Sequence, residues 1–115
     1  MDSREKFRFA TKLAKDKKAE DLVILDMRKI ANFCEYFIIC SGSSERQVES
    51  IARAIEDGFL EKKVKALNPS SKNNGLWSLL DYGDVIIHIF YKETRQYYNL
   101  ERLWIDAKRI RIPKD

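Results

Sequence analysis

The sequence predicts an α/β protein with a single mixed sheet of about five strands flanked by helices. Two patterns predict it. Nearly continuous runs of β-branched and aromatic residues, such as Tyr36-Phe37-Ile38-Ile39-Cys40, read as strands covered on both faces. Between and before them stand stretches with apolar residues at helical spacing, the alternation that lays helices against a sheet. The length of 115 residues fits one domain over residues 1–115, with no repeat and no internal boundary.

Residues 3–18 read as the first helix, with Ser3 placed to cap it and Phe7, Ala10 and Leu13 or Ala14 recurring between charges. Leu22-Val23-Ile24-Leu25 is the first strand, and a turn over 26–32 leads to the second, 36–40. Ser41-Gly42-Ser43-Ser44 breaks that strand. Ser44 and Gln47 fit a capping box for a helix lined by Val48, Ile51, Ala52, Ile55 and Phe59, with Gly58 a mild fault near its end. A short strand is expected over 64–67, then a polar loop over 68–75. Leu76-Trp77-Ser78-Leu79-Leu80 and the run 85–91 form a hairpin through Asp81-Tyr82-Gly83-Asp84, where Gly83 supplies the positive φ of a tight turn. A helix or turn over 92–98, a further helical turn over 100–104 and a basic tail over 106–115 that frays complete the chain.

Several function classes are disfavoured. No apolar run is long enough to span a bilayer, and the charged start Met1-Asp2-Ser3-Arg4-Glu5-Lys6 has no apolar core behind it. A cytoplasmic protein without a membrane partner is expected. Cys34 and Cys40 lie in or beside apolar runs and read as packing residues. With His88 the single histidine, no metal set and no cofactor are expected. The Gly42-Ser43 turn between a strand and a helix resembles the phosphate-binding signature of nucleotidyltransferases. Those enzymes also need an Asp-x-Asp pair for metal-assisted phosphoryl transfer, and no such pair occurs. The expectation is a nucleotidyltransferase-like core without the catalytic carboxylates. A nucleotide-binding protein of that kind remains the enzymatic alternative. His88 alternates with Ile87 and Ile89, which places it on one sheet face, and no nucleophile elbow accompanies it.

What remains points to binding. Trp77, Tyr82, Tyr91, Tyr97, Tyr98 and Trp104 concentrate in the last third, beside Asp81 and Asp84, as in protein interfaces that seat on a basic partner. The formal net charge of +4 is uneven. Residues 1–18 hold seven bases against three acids and 92–115 hold seven against four, whereas 75–91 hold no base. Basic ends favour nearby phosphates. Equally, they form a solvated helix face.

Three blocks carry a family resemblance: 35–44 (Glu35-Tyr36-Phe37-Ile38-Ile39-Cys40-Ser41-Gly42-Ser43-Ser44), 77–90 (with Trp77-Ser78-Leu79-Leu80-Asp81-Tyr82-Gly83-Asp84) and 95–107 (with Arg95-Gln96-Tyr97-Tyr98 and Leu100-Glu101-Arg102-Leu103-Trp104). In this order and spacing the chain resembles the ribosomal silencing factor family, known as RsfS, Iojap or DUF143. Glu35 departs from the family's Asp, and the basic first helix and tail are less typical. The resemblance implies binding to the large ribosomal subunit through its ribosomal protein number fourteen. Steric blocking of small-subunit joining, and so repression of translation when nutrients are short, would follow without an active site. It places the contact surface at Trp77, Leu79, Asp81, Tyr82 and His88, with Tyr97, Tyr98, Leu100, Glu101 and Trp104 in or beneath it. Contact of the basic termini with ribosomal RNA and a homodimer of the free protein through the same patch are expected beside it. A role in a toxin–antitoxin pair or in ribosome assembly would use the same surface.

Overall fold

The computed structural model describes residues 1–68 and 74–113. The elements in chain order are α1 (Ser3–Asp16), β1 (Glu20–Asp26), β2 (Tyr36–Gly42), α2 (Glu45–Glu61), β3 (Trp77–Asp81), β4 (Val85–Tyr91), α3 (Lys92–Tyr98), α4 (Leu100–Leu103) and β5 (Lys108–Ile110). They build one mixed sheet in the order β3-β4-β2-β1-β5. β2 and β4 run parallel at its centre, with α2 in the crossover, and the other pairings are antiparallel. No helix among the described residues is long and apolar enough to cross a membrane.

Every residue of β2 is buried, as its unbroken apolar run requires. The pleat divides its side chains between two cores. Tyr36, Ile38 and Cys40 join Phe7, Ala10, Ala14, Val48, Ile51, Ile55 and Phe59 under α1 and α2. Phe37 and Ile39 face the other way and meet Leu25, Met27 and Phe90, with Trp77, Leu100 and Trp104 packed alongside. Each fully buried aliphatic contributes roughly 1.5–3 kcal/mol. Gly58, read as a fault, sits where α1 crosses α2: a Cβ there would stand 2.6 Å from Leu13 Cδ1. Gly42 has the same cause, since its Cβ would lie 2.9 Å from the Val48 backbone nitrogen.

Four expectations are corrected. Asp2, rather than Ser3, caps α1, accepting from the Glu5 N–H at 2.8 Å, while the Ser3 hydroxyl donates to Glu35 Oε1 at 2.9 Å. That helix stops at Asp16, and Lys18 follows with φ 60°. Residues 64–67 form no strand. Instead, Leu67 N–H donates to the Asp81 carbonyl, and the Asn68 amide donates to Leu79 O and accepts from Asp81 N–H. A side chain thus covers the β3 edge where a sixth strand would pair. At the C-terminus, Lys108–Ile110 does not fray but forms β5 against β1, with Ile110 opposite Ile24. The polar loop expected over 68–75 lies largely outside the described residues, at 69–73. Gly83 takes φ 85°, as the hairpin demands.

Candidate docking face

The two-residue period of β3 puts Trp77, Leu79 and Asp81 on the sheet face turned away from α1 and α2. Pairing with β4 sets Trp77 opposite Phe90 and Leu79 opposite His88, on the same face. The Trp77 ring stacks on Phe90 at 4.9 Å and tilts against Tyr98 at 4.8 Å. Tyr97 meets Tyr98 edge-on at 5.2 Å. Across the face, Trp104 lies 6.1 Å from both Phe37 and Phe33. Tyr98 is 50% exposed and Phe33 53% exposed, so the aromatic layer reaches solvent at both ends. Leu103 and Ile105 are also exposed, and Leu100 is half-buried against the core beneath.

His88 sits in the middle of this layer at 5% exposure. Phe37 packs edge-on against it at 4.7 Å, and its Nδ1 accepts a hydrogen bond from Trp77 Nε1 at 3.2 Å. An accepting Nδ1 carries no proton, so the neutral ring bears its hydrogen on Nε2. That nitrogen is buried without a partner. Burial alone pushes the imidazole pKa down to about 4. His88 is therefore a neutral ring at pH 7 that holds Trp77 in place.

Eight of the ten residues expected on a partner surface share this face: Trp77, Leu79, Asp81, His88, Tyr97, Tyr98, Leu100 and Trp104. Two serve elsewhere. Tyr82 is 5% exposed on the helix side, stacked on Phe59 at 4.2 Å, with a buried hydroxyl that has no partner. Glu101 is engaged within the chain, accepting from Arg95 Nε at 2.9 Å and facing Arg109 at 3.6 Å. Asp84 likewise pairs with Lys6 at 2.8 Å, and Asp81 Oδ1 accepts from the Gly83 N–H of the hairpin. Phe33 was not expected here, because it falls between the turn over 26–32 and the strand over 36–40, and one exposed aromatic carries no periodic signal.

Since the Tyr82 hydroxyl is buried and unsatisfied, Tyr82→Phe should leave stability unchanged or raise it by up to about 1 kcal/mol in urea unfolding. A loss of more than that would mean the hydroxyl has a partner that the packing does not show.

The turn that resembles a phosphate site is occupied by its own neighbours. Gln47 Oε1 accepts from both the N–H and the hydroxyl of Ser43, and Ser44 Oγ caps α2 through the Gln47 N–H. Among the described residues no group of three or more His, Cys, Asp or Glu is placed to hold a metal. Burial pushes the Cys34 thiol up to about 11 and the Cys40 thiol up to about 12, which keeps both protonated at neutral pH.

Known proteins share this geometry. The profile of the family described as "RsfS: Ribosomal silencing factor during starvation" matches residues 1–115. A ribosomal silencing factor RsfS of Bacillus subtilis is 41% identical over 107 residues, covering 93% of this chain and 91% of its own. A crystal structure of a protein from Chromobacterium violaceum superposes with a TM-score of 0.86 at 28% identity, over 100% of this chain and 95% of the other. A second, from Bacillus halodurans, gives 0.81 at 35% identity, over 95% and 99%.

Proposed function

The chain belongs to the RsfS family of ribosomal silencing factors, and from that premise we propose that it binds the large ribosomal subunit through the aromatic sheet face and sterically prevents joining of the small subunit. The partner proposed is ribosomal protein number fourteen of that subunit. Translation would be repressed this way when nutrients are limiting. Occlusion needs a shaped surface rather than a reacting group.

The observation that carries this reading is the half-exposed layer of Trp77, Tyr98, Phe33 and Trp104 on one rigid sheet face. Large aromatics seated on a sheet lose little conformational entropy on binding and supply most of the energy of typical interfaces. The opposite face has no such layer, being covered by α1 and α2. A second copy of the chain could occupy the same face in the free protein, and would then compete with the ribosome.

Tyr98 and Phe33 make the cleanest test, because both are about half-exposed and lie at opposite ends of the layer. Tyr98→Ala and Phe33→Ala should each weaken association with purified large subunits at least tenfold, about 1.4 kcal/mol. Their melting temperatures should stay close to that of the unmodified protein. Sucrose-gradient sedimentation of mixed subunits reads both effects, since the unmodified protein should ride with the large subunit and deplete joined ribosomes. An unmodified protein that leaves the profile unchanged removes the proposal, and variants that bind normally move the interface to another face.

A further inference from the structure

The two basic ends of the sequence, far apart in the chain, meet at one edge of the fold. Lys15 Nζ donates to the Pro113 carbonyl at 2.6 Å, so the C-terminal strand lies beside α1. Ile110 and Ile112 fasten that strand by packing into the core beneath α1 and α2. Their neighbours Arg109 and Arg111 are exposed.

On α1, Arg4, Arg8, Lys12 and Lys15 fall within an arc of about 80° at 100° per residue, and no acid shares that arc. Arg4, Arg8 and Lys12 are exposed, and with Arg111 they form no ion pair among the described residues. A helix needs only polarity on its outer side, and α2 shows what that looks like here. Its charged residues are Glu45, Arg46, Glu49, Arg53, Glu56, Asp57 and Glu61, a mixture richer in acid. Counted the same way, α1 carries Arg4, Lys6, Arg8, Lys12 and Lys15 against Glu5 and Asp16, a basic excess beyond what solubility requires. β5 is also the edge strand next to β1, and its Arg109 stands opposite Leu25, whose side chain lies in the core beneath the aromatic layer. The C-terminal strand of this edge thus borders the docking face, while α1 covers the opposite face of the sheet.

We infer that this composite edge, Arg4, Arg8 and Lys12 of α1 with Arg111 of the C-terminal strand, is an RNA-phosphate contact that flanks the protein contact. Ribosomal RNA as the source of those phosphates rests on the reading under Proposed function. The charge stripe itself does not. A surface of this kind adds affinity by releasing counterions, so its signature is the dependence of binding on salt rather than a failure of shape complementarity.

The test compares unmodified protein with Arg4→Gln/Arg8→Gln/Lys12→Gln/Arg111→Gln, four exposed positions, of which the three on α1 keep their helix propensity with glutamine. Binding to large subunits is measured from 50 to 200 mM salt, a range chosen on the order of that over which phosphate binding weakens most visibly. The slope of log K against log salt should flatten by about one for each phosphate no longer neutralised, so by about three to four. Tyr98→Ala should lower the line without changing its slope. An unchanged slope in the quadruple variant overturns the inference. If the unmodified protein does not bind subunits at all, the functional reading fails, and protein-free large-subunit RNA decides the inference. Salt-dependent binding that the quadruple variant loses sustains the phosphate surface there, and no binding by either overturns it. Tighter binding to phosphatidylglycerol vesicles than to RNA at equal salt also overturns the assignment.

Discussion

Glu101→Ala should destabilise the fold by about 3 kcal/mol, through the charge it leaves behind. Arg95 is 9% exposed. Its Nη1 donates to the Asp21 carbonyl at 2.7 Å and to Ser41 Oγ at 2.8 Å, and its Nε donates to Glu101 at 2.9 Å. One guanidinium thus ties α3 to β1, to the end of β2 and to α4. With Glu101 gone, the hydrogen bonds to neutral oxygens remain, but nothing balances the buried charge. The double replacement Arg95→Met/Glu101→Leu should recover most of the loss, because it removes both charges and keeps the volume. Urea unfolding with an unchanged m-value would measure both effects. A single variant within about 1 kcal/mol of the unmodified protein would show that water compensates Arg95 and that the pair is dispensable. Large-subunit binding should weaken as well, since α3 carries Tyr98 and Trp104 directly follows α4.

That ion pair lies beyond what the sequence makes legible. Arg95 and Glu101 are six residues apart, a spacing that puts them on different sides of one continuous helix. They meet because Asn99 takes the left-handed conformation, φ 47° and ψ 59°, and redirects the chain between α3 and α4. The two helical turns were legible, whereas the angle between them was not. β5 escaped for a different reason: three residues, Lys108-Arg109-Ile110, offer no alternation, and its pairing is defined by Ile110 finding Ile24. By contrast, the four strands β1 to β4 of the mixed sheet, the buried β2 run and the Ser44 cap of α2 follow from runs and spacings strong enough to survive packing. The candidate surface was legible in blocks, but a block of consecutive residues on a strand spans both faces of the sheet. The period of two that unites Trp77, Leu79 and Asp81 also sends Tyr82 to the side of Ser78 and Leu80, into the helix-covered core. Tyr82→Ala would consequently report a core cavity rather than a change at the docking face.

Mild acid should destabilise the protein through His88 before its carboxylates matter. Well above pH 6.5 the imidazole is neutral in both the folded and the unfolded chain, and its contribution is constant. As the pH falls from 6.5 towards about 4, the unfolded chain takes up a proton that the buried ring refuses, so stability is lost across that window. The full loss is roughly 3 kcal/mol, complete once the folded ring itself protonates. Burial is the single cause of the shift, with no charged neighbour contributing. The carboxylate that Arg28 holds below its ordinary range, Asp26, acts at lower pH and in the same direction. His88→Gln separates the two, because an amide oxygen can still accept from Trp77 Nε1 but does not titrate. Unfolding free energies of that variant should be flat from pH 6.5 to 4.5 where those of the unmodified protein fall, and equal slopes would remove His88 as the cause. Protonation of Nδ1 would also set two donors against each other at the Trp77–His88 pair and loosen Trp77 from its place against Phe90 and Tyr98. Because the folded ring refuses that proton until about pH 4, affinity for the ribosome should hold while stability falls from pH 6.5 and should decline only as the pH nears 4, and stability should be level in His88→Gln.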